Sequence, residues 1–480
     1  MRKLIILSAA VAAVAAAFVV TACSGKKNAE TAGTDIDSTR TTVKHPEWSR
    51  NAVIYEVNMR QYSDEGTFKA FEAQLPRLKE LGVDILWFMP IHPISATDRK
   101  GSLGSYYAVH DYKAVNPEYG TLDEFKALVK KMHEMGFKVM LDWVPNHTGT
   151  DNVWVDQHPD WYATDSTGNK FGPYDWTDVY KLDYSNPEMR AAMIDALQFW
   201  LKDVGIDGFR CDVAFEVPVD FWDEARKELQ ITKPDLFMLA EASYPPLARN
   251  AFDMSYNWPM KDLFSAIAAT AGQYSYVADG KTAPQTFPVH HATAIDSLLA
   301  DQAREYPKDS YMMNMITNHD LNSWEGTEFE RLGNLTSAFA VLSYTLPGMP
   351  LIYTGQETGL NRALQFFEKD KAPQWEPRND FFTFYQKLNE LKHSKKALRA
   401  GDEGAPMMRY PTASDDLYIF ARGEGDDMVL VMTNLGAEAA DVAYAADAPA
   451  VTEAVDFFTG KKEALPTRLE PGEYHVYTAR

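Results

Sequence analysis

Phe137-Lys138-Val139-Met140-Leu141-Asp142-Trp143-Val144-Pro145-Asn146-His147 is an apolar run that closes on polar, chemistry-bearing residues. Three later stretches close the same way: Ile206-Asp207-Gly208-Phe209-Arg210-Cys211-Asp212, the run from Asp235 to Glu241, and the run from Met312 to Asp320. Runs of this length, bounded by turn residues and separated by helix-patterned stretches, read as buried parallel strands. Each carries an ionisable group to its C-terminal end. Burying such groups costs desolvation, so the repetition points to a chemical site at one end of a barrel.

Working outward, further strands read at 52–59, 83–90, 251–257 and 350–354, which brings the count to eight. Helical stretches lie between them, among them 68–81, 121–135, 187–202, 331–344 and 381–394. Thr121 with Glu124 three residues on is a capping-box pattern. The count and order predict a TIM (β/α)8 barrel, 46–147 and 185–395, with right-handed crossovers. The aromatic, Gly/Asp-rich stretch 148–184 is too long for an ordinary turn and reads as an inserted domain after the third strand. Beyond 396 the pattern turns to short alternating segments, 417–422, 428–435 and 474–479, separated by Gly/Asp turns. These predict a C-terminal antiparallel β domain, a sandwich over 396–480.

With 480 residues, 45% of them hydrophobic and 12% aromatic, the chain has material for a barrel and a smaller domain. Its formal charge of -21 argues against nucleic acid and against charge-driven binding to an anionic membrane, and favours a neutral substrate. Residues 1–22 read as a targeting segment: Arg2 and Lys3 precede an apolar run from Leu4 to Val20, and Val20-Thr21-Ala22-Cys23 resembles a bacterial lipobox. Cys23 is then the lipidated residue, anchoring the protein in a bacterial cell envelope. Residues 23–45 are polar and poor in aromatics and read as a disordered tether. Cys211 is the other cysteine; strand alternation turns it away from Arg210 and Asp212, so packing is its expected role and no structural disulfide is expected.

Asp142 to His147, Gly208 to Asp212, the Leu-Ala-Glu ending at Glu241, and Thr317-Asn318-His319-Asp320 resemble, in order, the four signature segments of the α-amylase family of glycoside hydrolases. Gly348-Met349-Pro350 through Gly355-Gln356-Glu357 is similar to the family's last-strand segment. Tyr107, four residues before Asp111-Tyr112, resembles the aromatic that stacks on the sugar. The resemblance implies retention through two carboxyls ~5 to 5.5 Å apart, with Asp212 as nucleophile, Glu241 as acid/base and Asp320 as a third acid on the sugar hydroxyls. It implies that His147 and His319 are neutral donors to those hydroxyls. Arg210 shares the Asp212 strand face and is expected to hold that carboxylate ionised, with the pKa of Glu241 raised relative to Asp212. Asp142 alone reads equally as a local ion pair or cap. The aromatics of the insertion, Trp154, Trp161, Tyr162, Tyr174 and Trp176, read either as its small core or as sugar platforms.

The resemblance implies α-1,4-glucan oligosaccharides or polysaccharides as substrate and no required cofactor. Asn146 matches a family calcium ligand, although the histidine whose carbonyl would assist is replaced. Where many amylases carry Lys-His after the nucleophile, this chain has Val213-Ala214-Phe215-Glu216-Val217. That segment and Lys181-Leu182-Asp183 are similar to the neopullulanase and cyclomaltodextrinase branch, without its usual N-terminal domain. Alternatives on the same scaffold are α-glucosidase and 4-α-glucanotransferase activity. A glucan-binding lipoprotein on a decayed barrel is the non-enzyme alternative, and it would ordinarily have lost one of the three acids.

Overall fold

Eight parallel strands close on themselves in the computed structural model, which describes residues 39–278, 281–450 and 453–479. These belong to the unit running from Ser38 to Arg480. The apolar run at Leu4 to Val20 and Cys23 lie outside the described residues. In chain order the strands are β1 (Ile54–Val57), β2 (Ile85–Phe88), β3 (Lys138–Trp143), β4 (His147–Gly149), β5 (Val179–Lys181), β6 (Gly208–Cys211), β7 (Phe237–Ala240), β8 (Met254–Tyr256), β9 (Tyr311–Asn314) and β10 (Met349–Tyr353). The barrel runs β1-β2-β3-β6-β7-β8-β9-β10 and back to β1, while β4 and β5 pair antiparallel outside it. The eight-stranded barrel expected from the apolar runs is therefore present.

Strand alternation sorts the side chains into two cores. Ile54, Ile85, Trp87, Met140, Phe237, Leu239, Met254, Tyr256, Met313, Met349 and Leu351 fill the barrel interior. Tyr55, Val57, Leu86, Phe88, Val139, Leu141, Phe209, Cys211, Met238 and Ala240 face the surrounding helices. Cys211 is a buried free thiol, as its strand position predicts. Gly208 opens β6 where a Cβ would stand 2.1 Å from the Phe237 carbonyl oxygen. A side chain there would force β6 and β7 apart.

Helix Leu122–Glu134 begins with the reciprocal capping box read from the sequence: Glu124 N–H donates to Thr121 Oγ1, and Thr121 N–H donates to Glu124 at 2.7 Å. Three other helices are interrupted. The stretch 68–81 divides into Phe68–Glu72 and Leu75–Leu81, with Pro76 in the first turn of the second helix, where its missing N–H does no harm. Helix Pro187–Phe199 continues as one wide turn, Trp200–Val204. The stretch 331–344 splits into Glu328–Leu332 and Thr336–Thr345 around Gly333, whose φ of 55° no helix accommodates.

The C-terminal region contains β11 (Met407–Arg409), β12 (Leu417–Arg422), β13 (Val429–Asn434), β14 (Ala440–Asp441), β15 (Glu453–Asp456), β16 (Lys462–Ala464), β17 (Arg468–Leu469) and β18 (Tyr474–Thr478). Six form an antiparallel sheet in the order β11-β12-β13-β18-β15-β16; β14 and β17 form a separate ribbon. One face, with Tyr418, Phe420, Val431 and Val476, joins the main core, and the other packs Ile419, Leu430, Met432 and Tyr477 around Leu469 of the ribbon. Burial on both faces makes 417–422 and 428–435 almost continuously apolar instead of alternating as expected.

The segment before the barrel is ordered earlier than its composition suggests. Thr41 N–H donates to Asp309, Thr42 N–H donates to the Arg249 carbonyl, and His45 Nδ1 lies 2.9 Å from Asp253. Arg249 and Asp253 precede β8, and Asp309 precedes β9. The part of the expected disordered tether from 39 to 45 thus lies along the barrel floor, because these polar residues meet complementary groups there. Among the described residues, no helix is long and apolar enough to cross a membrane.

Candidate active site

Arg210 stands at the centre of the barrel mouth, fully buried. In register, Asp142 on β3 pairs with Arg210 on β6, and Arg210 pairs with Leu239 on β7. Adjacent strands therefore bring three carboxylates onto one guanidinium. Nη1 donates to Asp142 Oδ1 at 2.8 Å and to Asp212 Oδ1 at 2.9 Å, and Nη2 lies 3.0 Å from Glu241 Oε2. Nε donates to the Tyr256 hydroxyl at 3.2 Å, and the rings of Trp87, Tyr107 and Tyr256 surround the cation at 5.3 to 5.7 Å.

Glu241 has a second fixed partner. Val213 N–H donates to Glu241 Oε2 at 2.8 Å. Val213 has φ 40° and ψ 44°, a left-handed conformation that a β-branched residue rarely adopts. Strain of about 1 to 3 kcal/mol is the cost of turning this amide toward the carboxyl. With Oε2 accepting from Val213 and facing Arg210, Oε1 is the oxygen left over.

Arg210 makes the contact expected to hold Asp212 ionised, and burial and the neighbouring acids work against it. Burial, followed by repulsion from Glu241, pushes the Asp212 carboxyl well above the usual carboxylate range, and Arg210 opposes this only in part. Burial also raises Asp142, to about 7, against the pull of Arg210 and His319. A single cation cannot offset the desolvation of three carboxylates. The cluster is therefore arranged to retain a proton.

A second chain of contacts begins on β1. Glu56, buried within the first strand, places Oε1 2.5 Å from His319 Nδ1. His319 Nε2 lies 2.7 Å from the Tyr107 hydroxyl, and that hydroxyl donates to Asp142 Oδ2 at 3.1 Å. Burial works against charge on His319, but Asp320 and Glu56 outweigh it and raise the imidazole to about 9. Against the expected neutral donor, Asp320 and Glu56 favour the charged form of His319. Burial raises Glu56 as well.

His147 is favoured in its neutral form. Burial, then Lys181, lowers it to about 3, and Trp176 meets its ring edge-on at 5.2 Å. Asp320 Oδ1 lies 3.4 Å from His319 Nε2 with its side chain 35% exposed, against 11% for Asp212 and 13% for Glu241. Asp320 is thus the acid most open to the mouth. Tyr107, His319, Arg210, Asp212, Glu241 and Asp320 are brought together; Asp142 joins them as the second partner of Arg210.

Asn146 is committed locally. Its carbonyl accepts from Leu182 N–H at 3.1 Å, and its amide nitrogen lies 3.4 Å from His147 Nδ1. Among the described residues, the grouping of three side chains able to ligate a metal is Asp456, Glu463 and His475 in the C-terminal sheet.

Within the insertion, Trp161 and Tyr162 are buried and Trp154 packs against the core, whereas Tyr174 is 65% exposed. The Tyr174 hydroxyl donates to Glu216 Oε1 at 2.6 Å, and Lys181 Nζ holds Glu216 Oε2 at 2.9 Å. Glu56 was not singled out from the sequence, and Val213 and Glu216 entered only as members of the segment after Asp212. For Glu56 a signal existed, a carboxylate inside the apolar run 52–59. The role of Val213 is played by its backbone and leaves no trace in residue type.

The pattern of the alpha-amylase catalytic domain matches residues 33–375. An alpha-amylase from Lactobacillus plantarum superposes with a TM-score of 0.76 at 30% identity, over 90% of this chain and 99% of that one. The alpha-amylase MalA of Haloarcula japonica is 26% identical over 87% of this chain, which spans 59% of that protein's length. Neopullulanase 2 of Thermoactinomyces vulgaris is 28% identical over 80% of this chain and 70% of its own. With the match covering well over half of its length and a barrel whose mouth gathers these acids, the chain belongs to the alpha-amylase family of glycoside hydrolases.

Proposed function

We propose that the protein is a retaining hydrolase of α-1,4-linked glucans, acting on maltodextrins and starch fragments through a covalent glycosyl-enzyme. The observation that carries this reading is Asp212 and Glu241 flanking one guanidinium, each with one oxygen engaged and one left over. Asp212 Oδ2 attacks the anomeric carbon as the glycosidic C–O bond breaks, and Glu241 passes its proton to the departing oxygen. Water then forms the new C–O bond, Asp212 leaves, and the water proton returns to Glu241. Asp320 and His319 bind sugar hydroxyls, His147 donates as a neutral imidazole, and Tyr107 offers its ring to the apolar sugar face. This chemistry needs carboxyls alone and no organic cofactor. The Val213 to Val217 segment, with Glu216 holding Lys181 and Tyr174, favours the neopullulanase and cyclomaltodextrinase side of the family.

A proton NMR time course on maltoheptaose tests the reading, with Asp212→Asn as control. New α-anomer appearing first, with mid-sized fragments, is expected from the wild type and no turnover from the variant. First-formed β-anomer, or turnover by Asp212→Asn near the wild-type rate, rejects it.

We also propose that Cys23 is lipidated and holds the enzyme at a bacterial envelope. The apolar run ending in Val20-Thr21-Ala22-Cys23 supports this, as does the path of Thr41 to His45 along the barrel floor, on the face opposite the mouth. Cys23→Ser is expected to release the protein from membranes; retention would reject the anchor.

A further inference from the structure

Aromatic rings continue from the catalytic mouth toward solvent over the loops that follow β2, β9 and β10, whereas Glu241 stands after β7. His319 stacks on Tyr107 with centroids 5.6 Å apart. Tyr107 lies parallel to Phe366 at 6.3 Å and 9°. Phe366 meets Trp324 at 5.2 Å, and Trp324 meets Phe367 at 5.8 Å. The series runs from a buried site residue to an indole that is 46% exposed.

Trp324 is held although its ring is open. It belongs to the single turn Leu321–Glu325 that follows Asp320 directly. Asn322 ties this turn to the β10 loop, donating to the Arg362 carbonyl at 3.1 Å and accepting from Leu364 N–H at 2.8 Å. The Tyr276 hydroxyl donates to the Trp324 carbonyl at 2.9 Å. Gly326 has φ 91°, and a Cβ there would stand 2.3 Å from the Tyr276 ring. Scattered exposed apolar residues need no explanation, but a fixed indole continuous with the rings of a sugar site does. An exposed, pre-oriented ring matches the flat apolar face of a pyranose and binds it at small entropic cost.

We propose that Trp324, backed by Phe366 and Phe367, is a platform for a further glucose unit on the glycone side of the cleavage point, so that catalytic efficiency depends on chain length. This rests on the glucan-hydrolase reading above. The side follows from chemistry: Glu241 protonates the departing sugar, and the ring series leaves the mouth from Tyr107 and His319, which hold the sugar that stays on the enzyme.

The test compares kcat/KM for maltoheptaose with that for maltotriose in wild type, Trp324→Ala and Trp324→Phe, each checked for unchanged melting. In Trp324→Ala the ratio of the two is expected to fall about three- to tenfold; Trp324→Phe, which keeps an aromatic face, is expected to retain most of it. An unchanged ratio in Trp324→Ala overturns the platform. A wild type that cleaves neither sugar rejects the functional reading instead. Calorimetric titration of maltoheptaose into Asp212→Asn, with and without Trp324→Ala, then decides the platform separately: weaker binding with the alanine supports it, and equal binding overturns it.

Discussion

The Tyr107 hydroxyl lies 2.7 Å from His319 Nε2, and the two rings stack at an interplanar angle of 20°. This contact joins the Glu56–His319 pair to Asp142, Arg210 and Asp212 in one hydrogen-bonded path, with Glu241 at ion-pair distance from Arg210. Through its hydroxyl, Tyr107 links the His319 imidazole to the buried Asp142.

Tyr107→Phe keeps the ring and removes that link. His319 loses a hydrogen-bond partner and Asp142 a donor while both stay buried. Hydrogen bonds to charged groups contribute about 1.5 to 3 kcal/mol, so kcat/KM on maltoheptaose is expected to fall about ten- to a hundredfold. Steady-state kinetics checks this; a change below twofold would make the bridge irrelevant to turnover.

Arg210→Met leaves three carboxylates facing one another without a cation. Breaking a buried pair from one side costs about 3 to 5 kcal/mol. Urea unfolding is expected to show a loss of that order together with loss of activity. A variant as stable as wild type would show that the acids need no cation to fold.

Asp142→Asn removes a negative charge that helps to raise Asp212. Without it, the Asp212 carboxyl titrates lower, and the acid limb of the kcat/KM profile is expected to move to lower pH. A limb that stays in place or moves up contradicts the shared electrostatics of the cluster. The variant retains an acceptor for Tyr107, which limits structural disturbance.

His92 is buried among Tyr112, Trp143 and Trp200, and burial lowers it from 6.5 to about 4. A histidine kept neutral in the fold contributes stability that is present above pH 6.5 and lost as the pH falls toward 4, because the unfolded chain then binds the proton first. Other groups titrate in this window, so the informative quantity is a difference. Relative to wild type, His92→Phe is expected to gain about 1.4 kcal/mol per pH unit as pH falls from 6.5, read by urea unfolding across pH. A pH-independent difference would mean that His92 titrates normally.

His319 gives the opposite sign. Its folded value, about 9, lies above the unfolded 6.5. Its contribution is complete below pH 6.5 and disappears as pH rises through 9. NMR of the imidazole signals is expected to find this ring protonated at neutral pH; a titration near 6.5 would contradict the imidazolium.

Much of this protein was legible locally. The eight strands were readable because parallel strands buried on both faces must be apolar along their length, and the polar residues that end them stand out against that background. Asp212, Glu241 and Asp320 stand out in this way, with their motifs, whereas Tyr107, far from any strand end, is named only by the family resemblance. The breaks in three helices were less legible, since Gly333 and Pro76 interrupt patterns whose apolar spacing continues past them.

What the sequence by itself determined is the set of elements and the identity of the acids, because both follow from residue type and from periodicity over a few neighbours. Only the tertiary structure decided how the acids share charge. Glu56 meets His319 across 263 residues, Arg210 divides its cation among acids from three adjacent strands, and Trp324 extends a ring series begun by Tyr107. Protonation depends on how deeply a group is buried and on every charge around it, and those are properties of the closed barrel rather than of any one segment.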